Sequence, residues 1–198
     1  MKSLRSLKEG LAEVERHWDA NDYDAALNEV EGLLESWPGN VRLHVLWASL
    51  VQLQDDPSHG LDEVKKALQQ AVALDKTSPA AAIELGHYLD AVEDNPQAAS
   101  KVFSEGIASA RRLLIDGLLG QARALVQANK RQEAFKCLME SLYLANIDAG
   151  PDAAKAARGT PDILLRDQAG QMLAFQLKGP FAIKIDDLLQ ELFPKRSA

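Results

Sequence analysis

The chain has 198 residues, enough for one domain of ordinary size with a substantial core. Hydrophobic residues make up 46 % and charged residues 26 %, and no apolar run approaches the roughly 18 residues that a membrane-spanning helix needs. The net charge of −7 argues against nucleic-acid binding, which rests on clustered Lys and Arg.

The segment Met1 to Glu9 carries charge from its start and lacks the apolar core of a signal peptide. Together with a single cysteine, Cys137, which has no intramolecular partner for a disulfide, this predicts a cytoplasmic protein. Leu11, Val14 and Trp18 give the first helix an apolar stripe that ends at Ala20-Asn21-Asp22. A second helix opens at Tyr23 and closes at Trp37-Pro38-Gly39-Asn40. Further breaks fall at Asp55 to Gly60, Asp75 to Pro79, Glu93 to Pro96 and Ala128-Asn129-Lys130. Most of the helices between them are about a dozen residues long, the length of one arm of a helical hairpin. Asp148-Ala149-Gly150-Pro151 reads as a linker. Thr160-Pro161-Asp162 predicts the start of a helix carrying Ile163, Leu164, Ala169, Met172, Leu173 and Phe175. After Gly179-Pro180 a last amphipathic helix is expected from about Ile185 to Phe193. Strand signals are nearly absent, so the chain reads as all-α.

The second helices share a register. Ala26, Val30, Leu33 and Leu34 form one face, and the same face returns as Val64, Leu68, Ala71 and Val72. It returns again as Ala99, Phe103, Gly106, Ile107 and as Ala134, Leu138, Ser141, Leu142. The spacings are 64 − 26 = 38, 99 − 64 = 35 and 134 − 99 = 35. The excess in the first gap coincides with the turn-rich joint Asp55 to Gly60. In the first helices a bulky, small, bulky pattern recurs as Trp47-Ala48 with Val51, Leu85-Gly86 with Leu89, and Gln121-Ala122 with Leu125. A small residue is needed there because the two arms of a hairpin cross closely. The first of the four first helices has no small residue in the expected slot.

These residues, from about Leu7 to Asn146, resemble four tetratricopeptide repeats, whose period is about 34. The implied fold is an all-α, right-handed superhelix of antiparallel helical hairpins, with repeats at 7–40, 41–78, 79–113 and 114–146. Residues 147–198 would supply a linker and C-terminal capping helices that cover the last repeat; the alternative is a detachable helix that occupies the protein's own groove or docks on a partner. By the same resemblance, a partner peptide or helix lies in a concave groove lined by first helices. Its positions here are Arg42, Val45, Leu46, Ser49, Ile83, Glu84, His87, Asp90, Asp116, Leu119 and Arg123. The subset of the family that clamps acidic chaperone tails uses Lys, Asn and Arg. The corresponding positions here hold Leu11, Glu15, Leu46, Ala80 and Glu84, which leave a carboxylate unpaired or repelled.

No catalytic or metal-binding pattern accompanies the repeats. His17, His44, His59 and His87 are scattered, none paired with another at helical metal-site spacing. Cys137 sits mid-helix without a local His and reads as a packing residue. Gly117 and Gly120 lack the Lys-Ser/Thr ending of a phosphate loop. Asp55-Asp56 and Asp186-Asp187 sit in a turn and at a helix start, where Asp is expected on structural grounds. The reading is therefore a non-enzymatic scaffold or adaptor without cofactor or metal, binding another protein or peptide. Alternatives are a self-assembling subunit, homodimeric through terminal helices bearing Leu4, Leu7 and Leu11, or a protein similar to the type III secretion chaperones. An enzyme would require a pocket enclosing His87, Glu84 and Asp90, which share one helical face.

Overall fold

In the computed structural model, which describes residues 6–145, 163–166, 172–175 and 181–192, the first helix begins where Ser6 and Glu9 cap each other. The Ser6 hydroxyl accepts the Glu9 N–H at 3.3 Å, and the Ser6 N–H donates to the Glu9 carboxylate at 3.0 Å. Seven helices follow one another without a strand between them: α1 (Leu7–Asp19), α2 (Tyr23–Ser36), α3 (Val41–Leu53), α4 (Leu61–Leu74), α5 (Pro79–Ala91), α6 (Pro96–Gln127) and α7 (Arg131–Ala145). A two-stranded ribbon, β1 (Ile163–Arg166) and β2 (Met172–Phe175), precedes α8 (Phe181–Leu192). The seven-helix run is an all-α series of antiparallel hairpins. The chain divides into two compact units, residues 1–110 and 111–198, with α6 contributing to both.

Turn chemistry repeats with the helices. Asn21, Asp94 and Asn129 are the described non-glycine residues with positive φ, at 57°, 49° and 60°. Each closes the turn inside a hairpin, where Asn and Asp tolerate the left-handed region best. Their spacings, 94 − 21 = 73 and 129 − 94 = 35, equal the repeat spacings 38 + 35 and 35. The second hairpin uses the longer joint instead. Four further helix starts of the first unit are capped by side chains, α4 at Gly60 being the exception: Asp22 accepts from Ala25 N–H, Asn40 from Leu43 N–H, Ser78 from Ala81 N–H and Asn95 from Ala98 N–H.

In the first unit, the core joins Val14 of α1, Val30 and Leu33 of α2, Leu43, Leu50 and Val51 of α3, Val64 and Leu68 of α4, and Leu85 and Leu89 of α5. Small residues set the crossing distances. Ala48 is fully buried, and a Cβ on Gly86 would stand 2.7 Å from the Phe103 ring of α6. The slot in α1 is filled after all: a Cβ on Gly10 would overlap the Leu33 side chain. Gly10 lies at the register position 48 − 38 = 10, disguised in the sequence by Glu9 and Glu13 on either side. Within this unit nothing follows the first half of α6, and Ile107, the fourth member of the repeated face, is exposed rather than packed.

In the second unit, Ile115, Leu119 and Ala122 of α6, Ala134, Leu138 and Leu142 of α7, and Ile185, Leu188 and Leu192 of α8 form a separate core. α8 thus contributes to this core, beginning directly after Gly179-Pro180 and four residues earlier than expected.

Two expectations are corrected. The boundary at 113/114 falls inside α6, because the stretch Ala110-Arg111-Arg112-Leu113 has neither Gly, Pro nor Asn to stop a helix of good formers. The helix expected to carry Ile163 to Phe175 is instead an antiparallel ribbon in which Ile163 faces Phe175 and Arg166 faces Met172. Runs of three and four apolar residues, Ile163 to Leu165 and Met172 to Phe175, separated by six residues that include Gly170 are a hairpin pattern, which outweighs the helix propensity of Leu, Met and Ala there. The linker Asp148 to Pro151, the start Thr160-Pro161-Asp162 and Phe193 lie outside the described residues.

Candidate functional site

The first helices of the first unit form one layer. α3 packs beside α5, and Arg42 of α3 reaches Glu15 of α1 at 2.7 Å. Along α3, Arg42, Leu46, Ser49 and Leu53 recur at helical spacing on the face turned from the core, with Val45 at its edge. Val45, Leu46 and Ser49 are half-buried, while Arg42 and Leu53 are exposed. Leu46 packs partly on the core and the Ser49 hydroxyl donates to the Val45 carbonyl at 3.1 Å. On α5 the matching face carries Ala80, Glu84 and His87, flanked by Ile83 and Asp90. Ile83 and Glu84 are half-buried, and Ala80, His87 and Asp90 are exposed.

Ile83 leans toward α6, where a Cβ on Gly106 would lie 3.2 Å from its Cγ1. His87 meets the Phe103 ring edge-on at 5.0 Å. The first unit thus gathers Arg42, Val45, Leu46, Ser49, Ile83, Glu84, His87 and Asp90 on two neighbouring helices.

The charges on this layer are unequal. Arg42 is engaged by Glu15, a pair whose side chains are both more than half exposed, so it is worth under about 1 kcal/mol and chiefly neutralises the arginine. Among the described residues Glu84 and Asp90 have no hydrogen bond or ion pair, and α5 has no Lys or Arg. Among the described residues His87 is not joined to either carboxylate, and it is exposed.

In the second unit the three remaining positions separate. Asp116 is engaged by Lys184 of α8, and Arg123 is exposed. Leu119 belongs to the core, so its assignment to a partner-binding surface is corrected: it shares a helix face with Ile115 and Ala122, which α7 and α8 cover.

Sequence reasoning missed Leu53, Gly10 and a polar cluster at the irregular joint. His59 places Nε2 2.8 Å from Glu31 and Nδ1 3.4 Å from Glu63. The Trp47 indole N–H donates to the same Glu31 oxygen at 3.1 Å, and its ring lies edge-on to His59 at 4.8 Å. The Gly60 N–H, donated to Glu63, holds that carboxyl below its ordinary value. The extra residues of the joint are thereby fastened to α2, α3 and α4. The buried His44 is likewise structural, its Nε2 donating to the Pro38 carbonyl at 2.8 Å.

Burial, and secondarily Glu140, pushes the Cys137 thiol up, away from the reactive thiolate. Among the described residues no cluster of three His, Cys, Asp or Glu is placed to hold a metal ion, and no helix is long and apolar enough to cross a membrane.

No protein-family model and no curated protein matches the chain. Among solved structures, it is similar to one described as the crystal structure of MamA protein, at 13 % identity and a TM-score of 0.43, covering 94 % of this chain and 89 % of that one. A second, the crystal structure of MamA, has 14 % identity and a TM-score of 0.41 over 91 % and 92 % of the two chains. At that level the likeness bears on neither partner nor activity.

Proposed function

We propose that this chain is a protein-interaction scaffold whose first unit holds a peptide or helix of a partner protein on the layer of α1, α3 and α5. The observation that carries this reading is a set of incompletely covered aliphatic residues on neighbouring first helices, with Leu53 exposed and Leu46 and Ile83 half-buried. Their neighbours are polar and mostly exposed, the composition of an interface rather than of a core. The resemblance of the repeat register to tetratricopeptide units supports the same assignment. Leu46→Glu and Ile83→Glu each weaken partner binding by at least about tenfold, because a desolvated carboxylate replaces an apolar contact. Because both side chains are half-buried, each change lowers the melting temperature somewhat, while helicity at the titration temperature stays near that of the parent. Titration of each variant with the partner, beside circular dichroism, checks this; unaltered binding in both variants would sink the assignment.

A second reading, self-assembly, draws on the second unit. Leu113 and Leu114 are 62 % and 50 % exposed side by side on α6, an adjacent apolar pair open to solvent. If that pair seats a second copy, sedimentation velocity finds a dimer for the parent chain and a monomer for Leu113→Lys/Leu114→Lys. A parent chain that stays monomeric over a wide concentration range removes this reading.

A further inference from the structure

The chemistry of the partner is written in two places. The first is the charge balance of the α3–α5 layer. Its one arginine, Arg42, is neutralised by Glu15, whereas Glu84 and Asp90, on the same helix as Ile83, have no ion pair among the described residues. A segment docking there desolvates both carboxylates in part, and that is costly unless the segment brings positive charge. The second lies within the second unit, where an amphipathic helix of the chain itself packs into the core formed by α6 and α7. There α8 lays Ile185, Leu188, Leu189 and Leu192, spaced i, i+3, i+4 and i+7, against α6 and α7. Lys184, adjacent to the first of these aliphatics, engages Asp116, which the repeat register places among the outward positions of a first helix.

From these two observations we infer that the first unit selects an amphipathic helix with an i, i+3, i+4, i+7 aliphatic stripe flanked by Lys or Arg. The stripe meets Leu46 and Ile83, and the cations meet Glu84 and Asp90. This rests on the scaffold reading above and narrows it: the first unit rejects segments flanked by acidic residues, although their apolar stripe is the same. Helix-in-groove recognition supplies the affinity through the aliphatic stripe, and the charges supply the discrimination.

The test uses the full chain and two synthetic helical peptides with one leucine stripe, one flanked by lysines and the other by glutamates. Fluorescence anisotropy at low salt is expected to show the lysine peptide binding at least fivefold more tightly. The preference shrinks as salt rises, because exposed charges are screened over about 10 Å at 0.1 M ionic strength. Glu84→Gln/Asp90→Asn, which leaves the apolar residues in place, brings the two peptides to nearly equal affinity, and Leu46→Glu removes binding of both. Equal binding of the two peptides to the parent chain, with loss in Leu46→Glu, overturns the charge selection and leaves the scaffold reading standing. Binding of neither peptide, or binding indifferent to Leu46→Glu, overturns both.

Discussion

Leu50→Ala lowers the unfolding free energy of the first unit by about 3 kcal/mol, whereas Leu53→Ala, on the same helix, changes it by less than about 0.5 kcal/mol. The chemistry of the two changes is identical, and the difference comes from where the side chains lie. Leu50 has no exposed surface and sits in the core with Leu43, Val51, Val64 and Leu68. Its truncation loses transfer free energy and leaves a cavity between two helical layers held by short hairpin turns. Leu53 ends α3 and is 42 % exposed, so its truncation returns little surface to water and opens no cavity. Urea titrations of both variants measure the difference. Because Leu53 lies seven residues, two turns, beyond Leu46 on the solvent face, its loss is felt in partner binding instead. Equal destabilisation by the two substitutions would mean that α3 is rotated and that its outward face has been misassigned.

That contrast also marks how far the sequence was legible. The hairpins were readable because each second helix buries a small and aliphatic face at helical spacing, and because Asn21 and Asn129 sit in breaks that helix formers avoid. The outward positions on α3 and α5 came from the resemblance of the register to tetratricopeptide units, and the structure finds Arg42, His87 and Asp90 exposed there but Val45, Leu46, Ser49, Ile83 and Glu84 half-buried. Leu119 escaped that logic. Its place depends on α8, more than sixty residues away, and periodicity within α6 cannot tell which side a distant helix will cover. The β1–β2 ribbon escaped for a different reason: runs of four residues hold too few positions to separate a period of 2 from one of 3.6, and Leu, Met and Ala favour the wrong answer. Gly10 was hidden by charged neighbours, although the register alone points to it. The engagement of Arg42 by Glu15, which sets the charge of the proposed site, links residues 27 apart and leaves no periodic trace.

Leu188→Asp is expected to unfold the second unit while the first remains folded. Leu188 is 1 % exposed in α8 and belongs to the core that α8 forms with α6 and α7. An aspartate there either buries an unpaired carboxylate or expels α8 from its seat. Both routes cost about 4 kcal/mol or more, a large share of what a small unit possesses. Loss of α8 returns Ile115, Leu119 and Leu138 to water, and two helices joined by a short turn cannot bury that surface alone. The core of the first unit contains none of these residues. Hydrogen exchange should therefore show α7 losing protection while α1 to α5 keep theirs, with the far-UV signal falling only in part. The lysine-flanked peptide, whose proposed site lies wholly in the first unit, should still bind. A single cooperative loss of protection from α1 through α7 would instead show that the two cores fold as one, and that α8 caps the whole array rather than its last hairpin.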